Sequence, residues 1–305
     1  MTHTFSDHLL ICGAGLIGGS LALALARAQA RPARIEVLER DAARAAEVLR
    51  LGIADAACAA HDEAALRAAV QRADLIVVAA PVLSTAPLIA RLAPWLRPGT
   101  AVTDVGSVKG DTVRAVAAIE ALDPSCFVPG HPIAGSETSG PAAARADLFD
   151  GRRTVLCPGP AVAPQALARV EAMWRAAGAR LVRLDAQRHD AIFAAISHLP
   201  HLLAFAYLEA VLDGPVSREA LDLAGPGFGD FSRIAASNPD VWRDICLANR
   251  DALLADLDRL EGRLASLRGA LEAGRGEELA EAFARAAQAR RAWRPNARVQ
   301  PDGSN

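Results

Sequence analysis

Lysine is almost missing from this chain of 305 residues: of its 33 basic residues only Lys109 is a lysine, and the others are arginines. The bias towards Arg and Ala reads as a coding preference, not as an adaptation. No basic run exceeds two residues and the formal net charge is −2, so the positive stripe that nucleic acid requires is missing. Cysteine is scarce and irregular. Cys12, Cys58, Cys126, Cys157 and Cys246 are odd in number and without CxxC spacing, which argues against a disulfide framework or a zinc site and for a reducing, cytoplasmic compartment. A long uncharged run near the N-terminus, LLICGAGLIGGSLALALA over 9–26, has four glycines in its first eleven positions and Asp7 before it instead of a basic cluster. That excludes a signal-peptide core and a membrane span as its best explanation.

What is present is the composition of a folded protein, 52% hydrophobic and 22% charged, with length enough for two domains. No internal repeat is visible. Strand-like runs at 8–14, 34–40, 73–81, 101–107, 126–130, 153–159 and 179–185 alternate with helical patterns, which predicts a mostly parallel sheet with helices on both faces. From about Asp185 the strand signal ends and the pattern is helical: 186–213, 216–224 and a long run from Pro239. In that run Leu253, Leu257, Leu260, Leu264, Leu267 and Leu271 form a heptad seam, so Val241 to Ala273 is expected to pack on another long helix. A second subunit's helix is favoured over an intrachain pair. The expected organisation is a doubly wound, dinucleotide-binding α/β domain over 1–184, an all-α domain over 185–293, and a disordered tail over 294–305.

GAGLIG at 13–18 follows an apolar strand and opens an apolar helix, the context a GxGxxG fingerprint needs. Gly13 permits the tight turn, Gly15 lets backbone approach a pyrophosphate, and Gly18 lets helix and strand pack closely, with Leu16 and Ile17 in the first helical turn beside the cofactor. Glu39 stands at the end of the second strand, within reach of the adenosine ribose hydroxyls, which favours NAD. Its neighbour Arg40 could instead turn towards a 2′-phosphate, which keeps NADP open. VAAPV over 78–82 brings Ala80 and Pro81 to the cofactor edge of the sheet. AVTDVGSVKG over 101–110 brings Ser107 and Lys109 to the same edge, where a helix start is the plainer role for Lys109 and a turn or cap for Asp104.

FVPGHPIAGSETSGP over 127–141 is too rich in Gly and Pro for a regular helix or strand. His131 is therefore expected in a rigid irregular loop, with Ser136, Glu137, Thr138 and Ser139 behind it, as functional groups often are placed. Further on, RHDAIFAAISHLPHLLAFA over 188–206 carries His189, His198 and His201. Pro200 interrupts the HxxH pair and no cysteine or carboxylate completes a ligand set at the right spacing, so no metal is expected. GPGFGDFSRIAASNPDVWRD over 225–244 adds Asp230, Arg233, Ser237 and Trp242, and the guanidinium of Arg233 suits either a buried ion pair or bidentate binding of a carboxylate.

In order and spacing, GAGLIGGSLALAL, VTDVGSVKG, PGHPIAGSETSGP, the 190–208 stretch and GFGDFSRIAASNPDVWRDI resemble the prephenate/arogenate dehydrogenases of tyrosine biosynthesis, over about residues 8 to 290. The resemblance implies a Rossmann domain followed by a helical dimerisation domain, and oxidative decarboxylation of a cyclohexadienol. It implies that His131 hydrogen-bonds the ring 4-hydroxyl and assists its deprotonation, that Ser107 helps hold that hydroxyl and the nicotinamide, and that Arg233 clamps the ring carboxylate. It sets His201 and Ser136 around the substrate side chain, Trp242 at the pocket wall, and Glu137 with Asp230 near the pocket mouth; Ser237 belongs to the same motif. Prephenate is the expected substrate, with arogenate or both as the alternative, since an acidic group such as Glu137 would favour the amino form. A dinucleotide-binding regulator without turnover is the competing class, and a base such as His131 has no purpose in it.

Overall fold

The computed structural model describes residues 5–135 and 138–293. The expected tail 294–305, with Ser136 and Glu137, lies outside the described residues. The chain resolves into two compact units, Met1–Leu253 and Leu254–Asn305.

The first unit is built on six parallel strands: β1 (His8–Cys12), β2 (Arg34–Glu39), β3 (Ala56–Ala59), β4 (Leu75–Val78), β5 (Ala101–Asp104) and β6 (Phe127–Val128). Their order across the sheet is β3-β2-β1-β4-β5-β6, the doubly wound arrangement in which ligands meet the carboxyl ends where the winding reverses. Helices α1 (Leu16–Arg27), α2 (Ala42–Arg50), α3 (Glu63–Arg72), α4 (Val82–Leu92) and α5 (Gly110–Ala117) make the crossovers. Strand pleating divides the core in two. Leu9, Ile11, Val37, Leu75 and Val77 face one side and pack with Leu21, Leu25, Val170 and Trp174. Leu10, Cys12, Leu38, Ile76, Val78 and Val102 face the other and pack with Leu66, Val70, Ile89 and Leu92.

Two departures from the sequence reading affect the site. The sequence shows no strand at 56–59, because AACA lacks the β-branched and aromatic residues that mark strands. The strands after β6 do not extend the parallel sheet. The chain crosses at Pro129 into a second sheet of β7 (Gly130–Pro132), β8 (Arg153–Leu156) and β9 (Arg180–Arg183), in which β7 runs antiparallel to β8. His131 therefore lies on a short strand, opposite Val155, and not in an irregular loop. Three residues suffice to pair, and Pro132 at the strand end needs no donor.

Helix α6 (Pro164–Ala176) covers the first core, and the helical region follows β9. Helix α7 (Ala186–Phe193) passes through a π-helical turn (Ala194–His198) into α8 (Leu199–Leu212), and then come α9 (Ser217–Asp222), α10 (Pro226–Ser232), a 3₁₀ turn (Arg233–Ala236) and α11 (Pro239–Ala248). The single long helix expected from Val241 to Ala273 is broken at Asn249, and α12 (Arg250–Glu272) starts anew. The amide of Asn249 is drawn inward to the backbone oxygen of Asp190 and to Nδ1 of His198, both at 2.9 Å. In the second unit α13 (Gly276–Ala292) lines a groove with α12, formed by Leu267, Ala270, Ala282 and Phe283 among others. Of the seam residues Leu253 is buried, Leu257, Leu260 and Leu267 are half-buried, and Leu264 and Leu271 stay 54% and 67% exposed, so the seam is covered only in part among the described residues.

The continuous helical run Ala186–Leu212 is long and apolar enough to cross a membrane by composition, with mean hydropathy 1.6. Its polar residues are spent within the fold: His189, Asp190 and His198 are all buried, and their bonds form the centre described below.

Candidate active site

At the β1–α1 turn, Gly13 has φ +96, and a Cβ there would meet the Ala79 carbonyl oxygen at 2.6 Å. At Gly18 a Cβ would lie 1.9 Å from the Gly13 carbonyl oxygen, whereas at Gly15 it would meet nothing within 4 Å. Two glycines are thus fixed by backbone contact and the middle one opens onto free space. The N-cap of α1 is Gly15, with no side-chain cap and no acidic residue in the first turn, so its first amides have no side-chain acceptor. A pyrophosphate fits this cradle. Leu16 and Ile17 follow, half-buried against the core. Gly18→Ala is expected to yield no folded, coenzyme-binding protein, because the atom it strikes is backbone. Native coenzyme affinity with an unchanged unfolding midpoint would disprove the packing argument.

Glu39 ends β2 and accepts the Ala14 amide at 2.7 Å, tying the ribose-side carboxylate to the glycine turn. The guanidinium of Arg40 is 75% exposed and pairs with Asp41 at 3.2 Å. Asp41 also caps α2, so Arg40 lies beside a fixed carboxylate. Ala80 and Pro81 lie past the end of β4, with Pro81 at the N-cap of α4.

Lys109 has a different place from the one expected. It is wholly buried, and its ammonium pairs with the equally buried Asp104 and donates to the Gly130 carbonyl at 2.8 Å. It has no exposed surface to offer a cofactor. Asp104 in turn accepts the amides of Gly106 at 2.9 Å and Gly130 at 3.1 Å. One ion pair therefore grips both backbone groups of the residue before His131 and the loop carrying the half-exposed Ser107.

His131 is 9% exposed, its ring edge-on to Phe193 at 4.7 Å. Its Nδ1 lies 2.9 Å from Nε2 of His189, and Nδ1 of His189 lies 2.8 Å from Oδ1 of Asp190. Asp190 also accepts the amides of Lys109 at 2.8 Å and Gly110 at 2.7 Å. Burial pushes the pKa of His131 well below its ordinary value, and the charges of His189 and Lys109 add to this. Burial lowers His189 too, against the pull of Asp190, and brings His198 to about 4. His189, Asp190, His198 and Asn249 are absent from the expected site. His189 shared its stretch with two better-placed histidines, and Asp190 and Asn249 acquire meaning only when α5, α7 and the α11–α12 joint meet.

On the other arm, His201 stacks on Trp242 with ring centroids 3.4 Å apart and planes 16° from parallel. Its Nδ1 donates to the Ser197 carbonyl at 2.9 Å, leaving Nε2 outward. Burial lowers its pKa, and the positive charge of Arg233 lowers it further. Arg233 opens the 3₁₀ turn and Ser237 closes it. Asp230 is exposed on α10, and its expected partner Glu137 lies outside the described residues, as does Ser136.

The fold is that of a dinucleotide-binding dehydrogenase, a doubly wound sheet followed by a helical region. Comparison with known proteins gives the family. "Prephenate dehydrogenase, nucleotide-binding domain" matches residues 21–183, and "Prephenate dehydrogenase, dimerization domain" matches residues 185–285. The chain belongs to the prephenate dehydrogenase family. It is 32% identical to a cyclohexadienyl dehydrogenase of Zymomonas mobilis over 98% of this chain and 100% of that one. With a prephenate dehydrogenase of Bacillus subtilis it shares 33% identity over 81% of this chain and 65% of the other. Among solved structures, prephenate dehydrogenase from A. aeolicus in complex with hydroxyphenyl propionate and NAD+ superposes with a TM-score of 0.86 at 30% identity, covering 93% of this chain and 97% of that one. Synechocystis arogenate dehydrogenase gives 0.77 at 28% identity, covering 93% and 98%.

Proposed function

We propose that this enzyme carries out the oxidative decarboxylation of prephenate to 4-hydroxyphenylpyruvate with NAD, in tyrosine biosynthesis. The observation that carries the reading is His131: a buried imidazole kept neutral, fixed by its neighbours at the carboxyl edge of the nucleotide-binding sheet. A neutral histidine in a fixed position suits removal of a hydroxyl proton. When bound, NAD supplies the hydride acceptor. His131 takes the proton of the ring 4-hydroxyl as the carbon bearing it is oxidised, and Ser107 holds the same hydroxyl. Arg233 holds the ring carboxylate until it leaves as CO2, the electron pair of the broken C–C bond completing the aromatic ring. The His201–Trp242 stack walls the substrate side chain, and Ser237 and Asp230 lie on the segment that carries Arg233. Positioning is most of the protein's task. The tether from Glu39 to the glycine turn and the pairing of Arg40 with Asp41 support NAD over NADP.

The enzyme works as a homodimer in the cytoplasm. The match to a dimerization domain supports the second copy, as do the exposed Ile196, Tyr207, Leu212 and Leu223 of the helical region, a set of apolar side chains that water would not favour. The test is the absorbance of reduced nicotinamide with purified protein, NAD and prephenate, run beside arogenate and NADP. Rapid reduction with prephenate and NAD supports the reading. Turnover with arogenate alone would replace the substrate, and no turnover with either would leave the regulator class standing.

A further inference from the structure

The donors and acceptors behind His131 can be assigned one after another. An ionised carboxylate only accepts. Asp190 takes the amide protons of Lys109 and Gly110, and its Oδ1 faces Nδ1 of His189 at 2.8 Å, so His189 carries a proton on Nδ1. Burial keeps His189 neutral, which leaves its Nε2 bare. That bare nitrogen lies 2.9 Å from Nδ1 of His131, and two bare nitrogens do not bond, so the proton of His131 is on Nδ1. His131 is neutral as well, and its Nε2, which makes no hydrogen bond among the described residues, is left with a free lone pair.

We propose that Asp190 and His189 set the tautomer of His131, holding its proton on Nδ1 and presenting a bare Nε2 to the substrate hydroxyl. The proposal rests on the reading of His131 as the base. Both are positioning residues, since neither meets the reacting atoms. In the step itself the O–H bond of the substrate breaks as an N–H bond forms at Nε2. The resulting imidazolium keeps its Nδ1–H on His189, and the negative charge of Asp190, one ring further, stabilises it; no proton has to travel past His131. The carboxylate is itself well fixed. The first turn of α5 holds it through two amides, and Asn249 donates to the Asp190 backbone oxygen at 2.9 Å.

The experiment uses the full chain with ¹⁵N-labelled histidine and two-bond ¹H–¹⁵N correlation spectra near neutral pH, without substrate, together with steady-state kinetics. In the wild type His131 is expected to be protonated on Nδ1 alone. In Asp190→Asn the carboxylate charge that fixes the proton on Nδ1 of His189 is lost, and His131 is expected to populate the Nε2 tautomer beside the Nδ1 one. Its kcat should fall roughly 100-fold, with KM and the coenzyme Kd within about threefold. Should Asp190→Asn not fold, His189→Phe keeps the carboxylate on α5 while cutting the chain, and should give the same kinetic loss with both tautomers of His131 populated. An Nε2-protonated His131 in the wild type overturns the proposal. So does a loss of kcat with the tautomer unchanged, which would mean packing alone. The spectra need no substrate, so a wrong substrate assignment would show as missing turnover beside the expected tautomer.

Discussion

Replacing His131 by Asn is expected to lower kcat about a thousandfold while coenzyme affinity stays within about threefold. The nucleotide cradle at Gly13–Gly18 and Glu39 is built from other segments, so the variant should lose only the proton acceptor. The pH profile supplies a second check. The reaction needs His131 unprotonated, so the rate falls as pH drops through its pKa. That pKa is pushed well below the ordinary histidine value by burial and by the charges of His189, Lys109 and His198. The acid limb of kcat/KM should therefore lie below the usual histidine range, with a plateau through neutrality, and should vanish in His131→Asn. A loss of less than about tenfold, or an acid limb that survives the substitution, would remove His131 from the role of base.

The second large effect is on stability. Asp104→Leu should destabilise the first unit by about 3–5 kcal/mol, because it leaves the only lysine as an uncompensated buried charge and frees the amides of Gly106 and Gly130. Lys109→Met alone should cost a similar amount by stranding the carboxylate. The double variant Asp104→Leu with Lys109→Met should cost much less than the sum, since an apolar pair of similar volume does not have to be desolvated. Urea unfolding of the four proteins gives the coupling energy. Strict additivity would mean that the two charges do not act as a pair. Both single variants should also lose kcat, because Gly130 would no longer be held from both sides and His131 follows it in the chain.

The legible part of this molecule was the part written in local patterns. GAGLIG between an apolar strand and an apolar helix, and Glu39 at the next strand end, are short-range signals with one structural solution, a doubly wound sheet. The features that escaped are those whose meaning is spatial. Lys109 read as a surface helix start or a cofactor contact; it does stand at the start of α5, yet a lysine five residues after an aspartate at a strand end can also fold back, and the depth of the site decides. His131 looked like a loop residue because Gly and Pro surround it, but pairing with β8 is a long-range contact that no local pattern carries. Asp190 and Asn249 were ordinary helix residues until α5 and the α11–α12 joint were brought against them.

The π-helical turn at Ala194–His198 adds a last point, one of arithmetic. The amide of Leu199 reaches back five residues to the Ala194 carbonyl instead of four, so the run from Ala186 to Leu212 contains one residue more than its windings require. His189 and Phe193 lie before this dislocation and His201 after it, and their relative bearing depends on the surplus. One residue fewer would close the wide turn into ordinary helix and swing His201, with the Trp242 stack, by about 100° around the axis relative to His189. In this stretch the length of the chain is as much a part of the reaction centre as any side chain in it.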